Sequence, residues 1–244
     1  MPPLSKPFAF PLAPREITAR RAKLLRGFTA AYPELDECPV RRIPAEFWSA
    51  LPRAYDHLFL QGALGTLLPD LCVVPAPRMT SCGGKFCVAM RGNQRVRCEI
   101  RMATDFLLRL ERGPFSLNGL AAQTALEAFL IVFEHELCHA LDLALNGHLS
   151  AHGKPFRTLV HGLFGHTACR HNLPTRAREA ALNGVMPGVR VGFMHQGQRL
   201  TGIVARVGKT VSVMVPCATG EYRDVNGRRY EKYRVPPEQV TPVQ

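Results

Sequence analysis

The chain has 244 residues and a mass of 27.0 kDa, enough for one medium catalytic domain with a small satellite and too little for a multidomain machine. Hydrophobic residues at 46% and charged residues at 20% are the composition of a folded globular chain and exclude bulk disorder. The formal charge of +12 and the pI near 9.8 point to polyanionic partners.

At the start of the chain the apolar stretch 8–12 is broken by Pro11 and follows Pro2, Pro3 and Pro7, which leaves no signal-peptide core. Residues 17–31 place Leu24, Leu25 and Phe28 on one side and Arg20, Arg21, Lys23 and Arg26 largely elsewhere, the pattern of an amphipathic helix with a cationic face. A second helix is expected over 44–60, opened by proline, and a short buried strand over 70–75. The runs 85–90 and 95–101 are β-rich and joined by Arg91-Gly92-Asn93-Gln94, so they read as a hairpin.

The segment 117–146 is apolar at helical spacing through Leu120, Leu126, Leu130, Phe133, Leu137, Leu141 and Leu145, with Gly147 as its stop. Further helices are expected over 155–168 and 174–182. From Gly188 the pattern becomes alternating, with glycines between short runs; about five short strands are implied, the size of a small SH3-like β-barrel. The expected organisation is a basic helical segment (1–31), a domain over 32–184 and a basic β-module over 188–244. The two ends carry +10 of the +12 charge, so the basic surplus is segregated from the centre.

No stretch reaches the roughly 18 apolar residues of a membrane span, and eight cysteines are too sparse for a disulfide scaffold. The expected compartment is the cytoplasm, at the nucleoid if the chain is bound to DNA, with no membrane partner.

His135-Glu136-Leu137-Cys138-His139 is an H-E-x-x-H on the expected central helix. Residues four apart share a helix face, which lets both imidazoles reach one ion. Zinc suits imidazole donors, and Glu136 can take a proton from water at the open coordination position. A catalytic zinc needs a third protein ligand. The metzincin positions hold Leu145 and Asp142, and no acidic residue lies between Asp142 and Glu179 to serve a gluzincin, so the third ligand is a histidine. Of His148, His152, His161 and His166, His152 follows a turn-prone segment and returns at the start of the next helix. His161 and His166 are candidates for lining the cleft or for helix packing, and Asp142 for orienting an imidazole. Cys82, Cys87 and Cys98 around the hairpin read better as buried thiols than as a second zinc site, and Cys138 as packing.

The H-E-L-x-H of His135 to His139, followed by His152-Gly153-x-x-Phe156, resembles the metalloprotease signature of the SprT-like (Spartan-like) family. The resemblance covers roughly residues 70 to 170. It implies an α+β fold with a zincin-like catalytic domain, Zn²⁺ held by His135, His139 and His152, Glu136 as catalytic base, and proteolysis linked to DNA, notably of DNA–protein crosslinks. Many members carry a C-terminal zinc ribbon with paired Cys-x-x-Cys; here the β-rich segment stands in its place. That segment interleaves Arg190, Arg199, Arg206, Lys209, Arg228, Arg229, Lys232 and Arg234 with Phe193, Tyr222, Tyr230 and Tyr233, a mixture suited to single-stranded DNA. Two other readings stay open: a nucleic-acid-binding adaptor with a structural or vestigial zinc site, and a protease dedicated to one protein partner independently of DNA.

Overall fold

The computed structural model describes residues 7–92, 94–110, 113–169 and 176–243. Asn93 of the expected hairpin turn, the first residues of the basic N-terminal segment and the start of the expected 174–182 helix lie outside them. The fold is mixed α+β and divides into two compact units, Met1–Leu173 and Pro174–Gln244.

The first unit opens with α1 (Pro14–Ala31), which begins on Pro14 and buries Ile17, Leu24 and Phe28. Its cations are not all free for partners: Arg20 pairs with Glu16 and Arg21 with Glu134. Helix α1 therefore contributes to this unit's core. α2 (Phe47–Tyr55) runs on through a π-helical turn, Asp56–Leu60, and the short α3 (Leu64–Leu67) follows, its first N–H held by Asp56 at 2.9 Å.

Strands β1 (Leu71–Pro75), β2 (Gly84–Arg91) and β3 (Gln94–Met102) form a sheet of order β1-β3-β2, with β1 parallel and β2 antiparallel to β3. After the single turn α4 (Thr104–Leu107), a two-stranded hairpin of β4 (Phe115–Leu117) and β5 (Leu120–Ala122) precedes α5 (Ala125–Asn146).

That hairpin corrects the expected helix over 117–146. Asn118 and Gly119 both have positive φ, 51° and 81°, the backbone of a tight two-residue turn that an Asn-Gly pair adopts at little cost. The helix starts at a capping box: the Thr124 side chain accepts from Glu127 N at 3.1 Å, and the Glu127 carboxylate accepts from Thr124 N. Gly147, at φ 74°, ends it. Nearly every side chain between Ala125 and Asp142 is buried, as befits a helix apolar on all sides. It packs against β2, β3, the hairpin and α6 (Lys154–Phe164). The helix expected to run to 168 stops at Gly165, which adopts φ 69°.

In the second unit α7 (Arg176–Leu182) precedes β6 (Arg190–His195), β7 (Gln198–Val207), β8 (Val211–Pro216), β9 (Tyr222–Arg223), β10 (Arg229–Val235) and β11 (Thr241–Pro242). They form one antiparallel sheet of order β11-β6-β7-β8-β10-β9. Among the described residues no pairing joins β9 to β11, so the sheet stays open where a barrel was expected. Its own small core contains Ala180, Val185, Val191, Phe193, Val204, Val211, Val213 and Val235, and α7 belongs with it.

Candidate metal centre

His135 and His139 lie one turn apart on α5, with ring centroids 5.0 Å apart. The third imidazole arrives by a clamped reversal of the chain. Beyond Gly147 the loop folds back over the end of α5. There the buried Asp142 accepts from Asn146 Nδ2 at 2.7 Å, Ser150 N at 2.7 Å and Ser150 Oγ at 2.6 Å. Ala151 takes φ 50° and Gly153 N donates to Ser150 O at 2.8 Å. These bonds deliver His152 beside α5, where its Nε2 lies 3.1 Å from His135 Nε2.

One nitrogen from each of the three histidines lies within 4.8 Å of the others. Tetrahedral zinc, with Zn–N of about 2.0–2.1 Å, sets its nitrogens roughly 3.3 Å apart, so the triad fits a metal ion with little adjustment. Phe156, fully buried one turn into α6, forms the floor: its ring stacks on His139 at 4.2 Å and meets His135 and His152 at 4.9 and 5.0 Å. The H-G-x-x-F spacing thus puts His152 just before α6 and Phe156, which packs on it, on the first turn.

Burial, helped by the neighbouring His152 and opposed by Asp142, lowers the pKa of His139 to about 4. The ring is neutral at physiological pH, the state that coordinates a metal.

Glu136, 5% exposed, faces β2. Its Oε2 accepts from Phe86 N at 2.8 Å. The approach depends on Gly84, because a Cβ there would sit 2.6 Å from Glu136 Cγ and 3.1 Å from Oε1. Burial raises the Glu136 carboxyl to about 7 against the opposing effect of the Phe86 hydrogen bond. A carboxyl poised near neutrality can both take up and release a proton at working pH.

The remaining candidates lie elsewhere. His166, 2% exposed, meets Glu134 through Nε2 at 2.7 Å, His161 Nδ1 is 3.3 Å from His166 O, and His148 Nδ1 is 3.0 Å from Asn146 O. Neither His161 nor His166 joins the triad, and among the described residues no second cluster gathers around the cysteines. Cys98 and Cys138 are buried; Cys82 and Cys87 are partly so.

Asp142, expected to orient an imidazole, instead holds the His152 loop, and one residue of consequence escaped sequence reasoning. Glu134, between α1 and α5, is fully buried and bonds Arg21 Nε at 3.0 Å, Arg21 Nη2 at 2.8 Å, Tyr55 Oη at 3.1 Å and His166. It locks the helix immediately before His135; its sequence signal was a carboxylate on an otherwise apolar run.

No protein-family model matches this chain, and no curated protein matches it significantly. No helix of the described residues is long and apolar enough to cross a membrane.

Proposed function

We propose that the chain is a zinc-dependent endopeptidase of the SprT-like kind, recruited by DNA to cleave DNA-associated or crosslinked proteins. The observation that carries this reading is the convergence of His135, His139 and His152 with the buried Glu136 beside them. A structural zinc site is closed by four protein ligands, whereas a catalytic one keeps three and an open position. The triad among the described residues therefore favours catalysis over the adaptor reading.

His135, His139 and His152 would hold the ion, and Phe156 and the Asp142 clamp fix their rings. Zinc, when bound, supplies a Lewis acid that polarises a carbonyl and acidifies water. The chain's own contribution is proton traffic. Glu136, anchored by Phe86 N–H, accepts a proton from the attacking water and returns it to the leaving amine. β2 is the outer strand of its sheet and passes this carboxylate; an extended peptide laid along it gains main-chain hydrogen bonds without regard to side chains. In the second unit, the return of β11 to pair with β6 after a 3₁₀ turn supports an SH3-like module.

The test is metal analysis of the purified chain alongside cleavage of a DNA-bound protein, with and without single-stranded DNA. The expected result is equimolar zinc, cleavage stimulated by the DNA, and an E136Q variant that keeps zinc and loses about 10²- to 10⁴-fold in rate. Full cleavage by E136Q would remove Glu136 from the chemistry, and DNA-independent cleavage would favour a dedicated protein partner.

A further inference from the structure

We propose that one face of the second unit's sheet is a docking surface for single-stranded nucleic acid. It rests on the reading above only for the choice of DNA as the recruiting polymer.

Strand alternation and register assign the side chains to the two faces. One face carries Val191, Phe193, Val204, Val211, Val213 and Val235, the unit's core. On the other, a single cross-strand row reads Arg190, Ile203, Met214, Lys232 from β6 through β7 and β8 to β10. A second row reads Arg206, Ser212, Arg234 across β7, β8 and β10, Met194 pairs with Arg199 at the far end of β6 and β7, and Tyr230 pairs with Tyr222 across β10 and β9. The face thus gathers five cations, all exposed, and among the described strand residues no carboxylate shares their parity. Its neighbour Glu231 has the opposite strand parity and accepts from Tyr233 Oη at 3.0 Å, although it also borders the cavity beside Lys232 and Arg234. The acid at its margin, Asp224, accepts from Tyr230 Oη at 3.0 Å and from Asn226 N and Arg228 N, both at 2.9 Å.

Local geometry agrees with this assignment. A Cβ at Gly192 would meet Arg199 Nε at 3.4 Å and Nη2 at 3.6 Å, so the guanidinium lies across β6 where the strand has no side chain. Lys232 Nζ sits 5.6 Å from the Tyr222 ring centroid. Beside Tyr222, Lys232 and Arg234 an open cavity of about 590 Å³ is walled mainly by polar groups, Glu221 and Glu231 included.

Five exposed cations on one side of a thin sheet, none of them in an ion pair among the described residues, repel one another unless a polyanion joins them. Interleaving decides which polyanion. Met194, Ile203 and Tyr222 are 59%, 43% and 44% exposed, placed between the cations rather than apart from them. Exposed aromatic and apolar surface between phosphate-binding groups suits unpaired bases, which a duplex conceals. A polar cavity fits a nucleotide better than an acyl chain. From Arg190 to Lys232 the row spans three strand spacings, about 14 Å, so several phosphates of one strand can be met at once.

The test uses the full-length chain and a fluorescein-labelled oligothymidylate, with anisotropy measured over a salt series. Five phosphate contacts give a slope of log K against log salt of about −3.5 for a single strand. R190Q/K232Q should flatten it by about 1.4, R190K/K232R should restore it, and Y222A should weaken binding about five- to hundred-fold at unchanged slope. R223Q/R229Q, on the other parity of β9 and β10, should bind as the parent does. The proposal is overturned if the oligonucleotide does not bind, if R223Q/R229Q loses as much as R190Q/K232Q, or if duplex or phosphatidylserine vesicles compete better than the single strand. The readout is binding, so a chain that binds yet does not cleave removes the peptidase reading alone. One that cleaves yet does not bind removes this proposal alone.

Discussion

Asp142 accepts three hydrogen bonds from the segment just before His152, so the third imidazole is placed by a side chain ten residues earlier. The D142N variant loses an acceptor oxygen and should bind zinc about 10- to 100-fold more weakly, as read by competition with a chromophoric chelator; unchanged affinity would mean that the loop needs no clamp. Gly84 sets the other limit. In G84A the new methyl collides with Glu136 Cγ, and the expected outcome is normal zinc content with cleavage reduced toward that of E136Q. Reduced zinc instead would place the damage in the ligands. At this scale the clustering of His135 and His139 was legible in the sequence because i, i+4 spacing is a local rule, and elimination among the downstream histidines led to His152, which the fold brings beside them. The Asp142 clamp and the Gly84 contact were not, since a loop reversal and a strand laid on a helix leave no periodic trace.

At the level of elements, α5 is held by its cap and by one buried ion pair. Arg21 on α1 reaches Glu134 on α5, and R21M would strand a fully buried carboxylate, a loss of about 3–5 kcal/mol readable by denaturant unfolding. Burial by itself would raise the Glu134 carboxyl, but Arg21 and the hydrogen bond from His166 hold it below the ordinary value. A depressed folded pKa stabilises above the unfolded value, about 4.3, and that stability is lost as pH falls through the folded one. The thermal midpoint should therefore drop on acidification below about pH 4, and E134Q should start lower and change less over that window. Parallel profiles would show that the carboxylate contributes nothing. The sequence placed this helix but started it too early: Leu117 and Leu120 continue its apolar spacing by coincidence, while the Asn118-Gly119 turn and the Thr124 to Glu127 box break it. Periodicity outweighed turn chemistry in that reading, and the turn chemistry decides the structure.

For the whole molecule, two units with separate cores should unfold in separate steps. An ion bound only by the native first unit stabilises that unit alone. Calorimetry with and without a chelator should therefore move one transition and leave the other in place; a shift of both would couple the units energetically. The change from helical to alternating pattern near Gly188 was visible in sequence. The open sheet was not, because whether strands close a barrel depends on pairings between its ends, which alternation does not encode. The account turns on the three imidazoles. X-ray absorption at the zinc edge of the purified chain measures it most directly: three histidine nitrogens at about 2.0–2.1 Å with one lighter oxygen-type neighbour are expected. Sulfur in the first coordination sphere, or a shell without imidazole scattering, would contradict it.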